Sequence, residues 1–136
     1  MGVDIVITAP DTLFPDDELV SVCEEYARQG GSSIEISSDA TKAVKNADVI
    51  YTDVWVSMGE EGEAGMQGRV ESLRSYQVNA RLMAATGRND TIFMHCLPAV
   101  HNNEVTSEVF ESPASVVFDE AENRVHTIKA VMVSTI

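Results

Sequence analysis

Apolar positions along this chain fall into two rhythms. Short runs of β-branched and aromatic residues alternate with stretches where apolar residues return every three or four positions. The first rhythm marks buried strands and the second marks helices with one buried face. Residues 3–8 predict a strand, closed by Ala9-Pro10-Asp11. Pro15-Asp16-Asp17-Glu18 starts a helix, with proline near the first turn and acids at the positive end of its dipole. Leu19, Val20, Cys23, Tyr26 and Ala27 continue it until Gly30-Gly31. Ile34-Glu35-Ile36 is a short strand, residues 39–44 a short helix capped by Ser38 or Asp39, and residues 49–52 the next strand. Residues 59–68 are acidic and glycine-rich without periodicity, which predicts a mobile surface loop. Glu60, Glu61 and Glu63 among its glycines would repel a phosphate. Residues 70–73 read as helical. Gln77-Val78-Asn79 leads into a helix through Leu82, Met83 and Ala85 that Gly87 ends. A strand over 91–94, a short helix near 106–110 and a strand at Val116-Val117-Phe118 follow. A final helix from about Ala121 carries Val125, Ile128, Val131 and Met132 at core spacing.

Strands alternating with helices predict an α/β, Rossmann-like, mostly parallel sheet with helices on both faces. At 136 residues, 44% of them hydrophobic, the chain is one domain able to bury a core. It opens almost directly in a strand, without the leading strand, glycine turn and helix of a nucleotide-type half. The net charge of −13, from 22 acids against 9 bases, argues against nucleic-acid and membrane partners. No apolar run approaches the roughly 18–20 residues that span a bilayer. The first residues lack a basic leader, so a cytoplasmic home is expected. Two distant cysteines, Cys23 and Cys96, fit free thiols in a reducing compartment rather than a disulfide framework.

Two strand-to-loop junctions carry the candidate chemistry. The run Thr91-Ile92-Phe93-Met94 stops at His95-Cys96-Leu97-Pro98, and the carboxyl end of a strand is where open α/β sheets bind ligands. Pro98 forces a turn that leaves backbone groups available. A thiol at Cys96, next to His95, can have its pKa lowered and serve as nucleophile or base, or be a small buried hydrophobe. His95 reads as ligand, base or hydrogen-bonded core residue. Cys23, on an apolar stripe, reads as core. In the second junction, residues 49–59, Asp53 follows directly on the strand and suits either a cationic ligand group or a turn cap. Arg124, set among acids, suits either an intrahelical ion pair or an oxygen that gains charge during reaction. No His/Asp/Glu spacing suggests a metal site.

Several blocks together resemble the ornithine carbamoyltransferase family, specifically its second, ornithine-binding domain. They are residues 51–60 (Tyr-Thr-Asp-Val-Trp-Val-Ser-Met-Gly-Glu), Tyr76-Gln77-Val78-Asn79, residues 93–99 with His-Cys-Leu-Pro, Glu104-Val105-Thr106, residues 118–124 and residues 126–132. They run in family order over nearly the whole chain, and the Ser-Met-Gly wording looks closest to the bacterial catabolic type. The resemblance implies carbamoyl transfer from carbamoyl phosphate to the δ-amine of L-ornithine, giving citrulline and phosphate with no cofactor. It implies that Asp53 holds the α-ammonium, and that Ser57 and Met58 close over ornithine beside Gly59. Cys96 becomes the proton acceptor next to the substrate. Leu97 presents backbone to carbamoyl phosphate, and Arg124 polarises its carbonyl. His95 and Pro98 support this turn. Full-length relatives are expected to be trimers or multiples of trimers.

The match begins partway into the family domain. The Ser-Thr-Arg-Thr-Arg and His-Pro-x-Gln segments of a carbamoyl phosphate domain do not occur, nor does the Gly-Asp opening of the second domain. The chain therefore reads as a partial ornithine-binding domain over residues 1–136, lacking the family domain's first, central strand and helix. It is expected to be inactive alone, and to have unpaired strand edges between residues 3–8 and 49–52. The alternatives are a non-catalytic ornithine-binding or assembly module, or a carbamoyltransferase for a related amine such as putrescine or an acylated ornithine.

Overall fold

A computed structural model describes residues 2–56 and 66–136. In chain order it places β1 (Ile5–Thr8), α1 (Asp17–Gly30), β2 (Ile34–Ser37), α2 (Ala40–Ala43), β3 (Val49–Thr52), α3 (Met66–Leu73), α4 (Ala80–Ala85), β4 (Ile92–His95), α5 (Ser107–Phe110) and α6 (Val117–Thr135). Local chemistry sets the helix starts. Asp16 caps α1 by accepting from Glu18 N at 2.9 Å, Asp39 caps α2 from Lys42 N at 3.0 Å, and Asn79 caps α4 from Leu82 N at 3.0 Å. At the other end of α1, Gly31 takes φ +70°, a left-handed turn that glycine adopts without a Cβ penalty, and Ser32 N closes back on Ala27 O.

The α/β class and the parallel pairing are as expected, but the strands form two separate pairs. β1 pairs with β2, and β3 with β4, both parallel. No ladder joins β1 to β3 among the described residues. Between them lies a cavity of about 370 Å³, lined by Val3, Asp4 and Val6 on one side and Val49, Ile50 and Tyr51 on the other. Strand edges facing such a gap keep backbone groups that the rest of the fold does not pair.

The core sits almost wholly on the second pair. Ile50, Phe93, Val78, Leu82, Val105, Val109, Phe110 and Val117 form one buried cluster with Ala40 and Val44 of the α2 region. Phe93 and His95 share the inward face of β4 by the two-residue period of a strand, and both are fully buried. The α1–β1–β2 part contributes little: Leu19 and Tyr26 on α1 are exposed, and Ala27 is that helix's buried residue.

Two expectations near the C-terminus are corrected. Val116-Val117-Phe118 is no strand. Residues 114–116 make one parallel bridge to Phe93, through Phe93 N to Ala114 O and Val116 N to Phe93 O. Val116 O then accepts from Glu120 N, so helical bonding starts there, helped by Asp119 and Glu120 at the positive end of the dipole. The helix thus begins at Val117 rather than near Ala121. Its spaced residues Val125, Ile128, Val131 and Met132 are 52–62% exposed instead of core. Past its first turns the helix leaves the body of the fold, and nothing described covers that stripe.

Burial this uneven predicts uneven mutational costs. Phe93→Ala should cost about 3–5 kcal/mol, because it empties a fully enclosed site. Val6→Ala, on a strand residue 40% exposed, should cost under about 1 kcal/mol. Urea unfolding of the two variants measures both. Equal costs would contradict a core centred on β4.

Candidate functional site

The register of β3 on β4 builds the site. Tyr51 pairs with Met94 and Thr52 with His95. One step further along both strands brings Asp53 level with Cys96, just past their carboxyl ends. Cys96 Sγ lies 2.9 Å from Asp53 Oδ1 and donates to it, and the same oxygen accepts from Val54 N at 2.7 Å. Asp53 is therefore both turn cap and thiol partner.

The charge consequences follow from that contact. The thiol's hydrogen bond, foremost, holds the Asp53 carboxyl below its usual range, with help from Val54 N and His95 and against a burial cost. Burial, then the Asp53 hydrogen bond and charge, push the Cys96 thiol up. The sequence expectation of a lowered Cys96 pKa is thus corrected. The neighbour in sequence, His95, turns its ring into the core, and the neighbour in space is an anion.

His95 is a positioning residue of the turn. Its Nδ1 accepts from Leu97 N at 2.9 Å, so Nε2 carries the ring hydrogen and donates to Glu104 Oε1 at 3.2 Å. Glu104, also fully buried, takes Val100 N on that same oxygen. The pair holds residues 95–100 at both ends. Inside this clasp Leu97 sits at φ +53°, a left-handed conformation costing a non-glycine residue about 1–2 kcal/mol, and the Leu97–Pro98 peptide is cis. The Leu97 N–H is used by His95, so the group it can offer a ligand is its carbonyl.

Arg124 reaches the cluster from α6. Its Nη1 makes a long hydrogen bond, 3.5 Å, to Cys96 O. It forms no ion pair among the described residues, which removes the intrahelical-pair reading. Glu120, one turn earlier, accepts from Tyr51 Oη at 2.9 Å and from His95 N at 3.1 Å. Burial first, then Glu120, push the Tyr51 phenol up to about 12.

Of the residues singled out from sequence, Asp53, Cys96 and Arg124 form one chain of contacts, with His95, Leu97 and Pro98 shaping the turn between them. Ser57, Met58 and Gly59 lie outside the described residues. Glu104, Glu120 and Tyr51 were not singled out. Tyr51 had a signal, since it shares a strand face with Asp53. Glu104 and Glu120 fall in the blocks that carry the family resemblance, but nothing local gave either a role, because each looks like one more surface acid in a strongly acidic chain. No group of three or more His, Cys, Asp or Glu among the described residues is arranged to hold a metal, and no described helix is long and apolar enough to cross a membrane.

A polar cluster at the carboxyl ends of adjacent parallel strands defines an α/β protein with its chemistry where such folds bind small molecules. The chain belongs to the aspartate/ornithine carbamoyltransferase family: residues 1–135 match its Asp/Orn binding domain. It is 54% identical over its full length to an ornithine carbamoyltransferase of Pseudothermotoga lettingae, covering 43% of that protein. It is 48% identical to a catabolic ornithine carbamoyltransferase of Pseudomonas putida, covering all of this chain and 46% of that one. The solved ornithine carbamoyltransferase of Pyrococcus furiosus superposes with a TM-score of 0.88 at 47% identity, over 96% of this chain and 41% of its own. The chain thus spans under half the length of the relatives it matches.

The Asp53–Cys96 contact predicts how pH acts. A thiol pKa raised by folding stabilises the fold below its unfolded value, and that contribution is lost as pH rises through the folded one. The depressed Asp53 carboxyl has the opposite sense, stabilising above the usual carboxylate range and losing this as pH falls through its folded pKa. The iodoacetamide labelling rate of Cys96, with Cys23→Ala to remove the other thiol, should rise with a midpoint above 9.0. Asp53→Asn should bring that midpoint down. A parent midpoint below 9.0 would contradict the arrangement.

Proposed function

We propose that this chain is the amine-binding half of a carbamoyltransferase that uses L-ornithine, and the Asp53–Cys96–Arg124 cluster is the observation that carries the reading. The δ-amine nitrogen attacks the carbonyl carbon of carbamoyl phosphate. A C–N bond forms, the C–O bond to phosphate breaks, the amine gives up a proton, and citrulline and phosphate leave. Asp53 takes the α-ammonium, and the family resemblance gives Ser57 and Met58 to the same substrate. Arg124 polarises the carbamoyl oxygen, and the Leu97 carbonyl accepts from the carbamoyl amide.

An amine with an ordinary pKa of about 10 attacks only after losing its proton. Cys96 starts as a thiol because burial, and then the carboxylate it faces, disfavour the thiolate. An α-ammonium arriving at Asp53 offsets that negative field and draws the thiol down, so Cys96 gives its proton to water and, as the thiolate, accepts one from the δ-ammonium. An acylated ornithine has no charge on its α-nitrogen, so the Asp53 carboxylate favours free ornithine over it; putrescine keeps an ammonium at that position and differs by lacking the α-carboxylate. A role in arginine metabolism such as the arginine deiminase pathway and a cytoplasmic home belong to the same reading, with trimers or multiples of trimers expected of the full-length relatives. The resemblance to catabolic relatives supports it.

Among the described residues Arg124 is the cation at this cluster, too little for a dianionic phosphate. Carbamoyl phosphate is therefore held mainly by the part of the relatives that this chain does not span. Mixed with both substrates, the 136-residue chain should form no citrulline. Joined in frame behind the amino-terminal part of the Pseudothermotoga lettingae relative, it should form citrulline. Asp53→Asn there should lower kcat/KM for ornithine about 100-fold or more, the scale for unpairing a recognised charge. Citrulline from the chain alone, or unchanged turnover in Asp53→Asn, would overturn the reading. Ornithine binding by calorimetry without turnover in the joined protein would favour a non-catalytic module.

A further inference from the structure

Glu120 spends both carboxylate oxygens on two other elements. Oε1 accepts from the phenol of Tyr51 on β3, and Oε2 accepts from the backbone N–H of His95 at the end of β4. One side chain thus pins the first turn of α6 to the two strands whose ends form the site. The helix has few other anchors. Its N-cap, Val116, makes no side-chain cap bond, Val117 is its buried residue, and Phe118 meets Phe110 edge-on at 6.0 Å. Residues 122–136 are exposed throughout.

Arg124 stands four residues beyond Glu120, on the same helix face and about 6 Å along the axis. Its reach to Cys96 O is already at the limit of a hydrogen bond, 3.5 Å. A small pivot of α6 about its first turn would break it. Asp53 is not carried by α6, so the same pivot would leave the ornithine end of the cluster in place. The phenol of Tyr51 keeps its proton far above neutral pH, so the bond to Oε1 persists over the range in which an enzyme works.

We propose that Glu120 is a positioning residue: by clamping α6 to Tyr51 Oη and His95 N, it aims the Arg124 guanidinium at the carbamoyl oxygen. The aim matters only if Arg124 acts as the proposed function has it, so this inference rests on that reading, while the clamp itself does not. Glutamine can replace the clamp. Its amide oxygen can accept from His95 N while its NH2 donates to Tyr51 Oη, which then acts as acceptor. Alanine cannot.

Two measurements test this. In the 136-residue chain, Glu120→Ala should speed hydrogen exchange of the His95 amide at least about tenfold. The Phe93 amide, bonded to Ala114 O, should keep its rate. In the joined protein, Glu120→Ala should lower kcat about 10- to 100-fold, the penalty for roughly an ångström of misplacement, with KM for ornithine within about twofold. Glu120→Gln should restore most of kcat, which loss of a charge effect alone would not allow. Tyr51→Phe, which removes one anchor without changing shape, should give a partial kcat loss, and it decides the matter should Glu120→Ala fail to fold. An unchanged His95 amide, or a kcat within twofold of the parent in both Glu120→Ala and Tyr51→Phe, would overturn the proposal. Arg124→Ala separates the two claims. If it leaves kcat intact the carbamoyl-transfer role of Arg124 falls, whereas the His95 amide reports on the clamp regardless.

Discussion

The parallel register of β3 on β4 is the constraint from which the rest of the site follows. Pairing Thr52 with His95 makes the next residues, Asp53 and Cys96, meet where both strands end. A slip of one position would turn every side chain of β3 to its other face. Ile50 would leave the core and Asp53 would face away from the thiol. Burial of Ile50 and Phe93 on the inner faces therefore fixes the chemistry on the outer ones. Core packing and site geometry are here a single requirement.

A set of shared acceptors holds the strand ends. Asp53 serves Cys96 and its own turn, Glu104 serves His95 and Val100, and Glu120 serves Tyr51 and the His95 backbone. Asp53 and Glu120 reach groups distant along the chain and Glu104 closes a local turn, so the turn at residues 95–100 and the first turn of α6 are placed by hydrogen bonds as well as by packing. It also explains why the sequence neighbours His95 and Cys96 do different work: one points into the core and orders the turn, and the other points out to Asp53.

Much of the fold was legible in the sequence because its signals were local. Capping residues at Asp39 and Asn79, the Gly30-Gly31 stop and the apolar runs of β3 and β4 depend on neighbours a few residues away. The failures were of long range. Val116-Val117-Phe118 has a strand's composition, yet one bridge to Phe93 uses its pairing and the following acids turn it into helix. The stripe on α6 has the spacing of a core face, and spacing alone does not say whether a partner surface is present. The pKa of Cys96 went the other way because burial, and after it the carboxylate of Asp53 that lies 43 residues distant in sequence, disfavour the thiolate. The bridging role of Glu120 stayed hidden for the same reason: in a chain carrying 22 acids, only the fold shows which ones bridge elements distant in sequence.

The strand register can be read directly by trapping it. With Cys23→Ala in place, Asp53→Cys should oxidise readily to a disulfide with Cys96 under mild conditions, because adjacent strands hold level residues within the span of such a bond. Val54→Cys and Thr52→Cys should stay reduced. A disulfide formed from either of those positions, with Asp53→Cys left open, would contradict the register and with it the shared site of Asp53, Cys96 and Arg124.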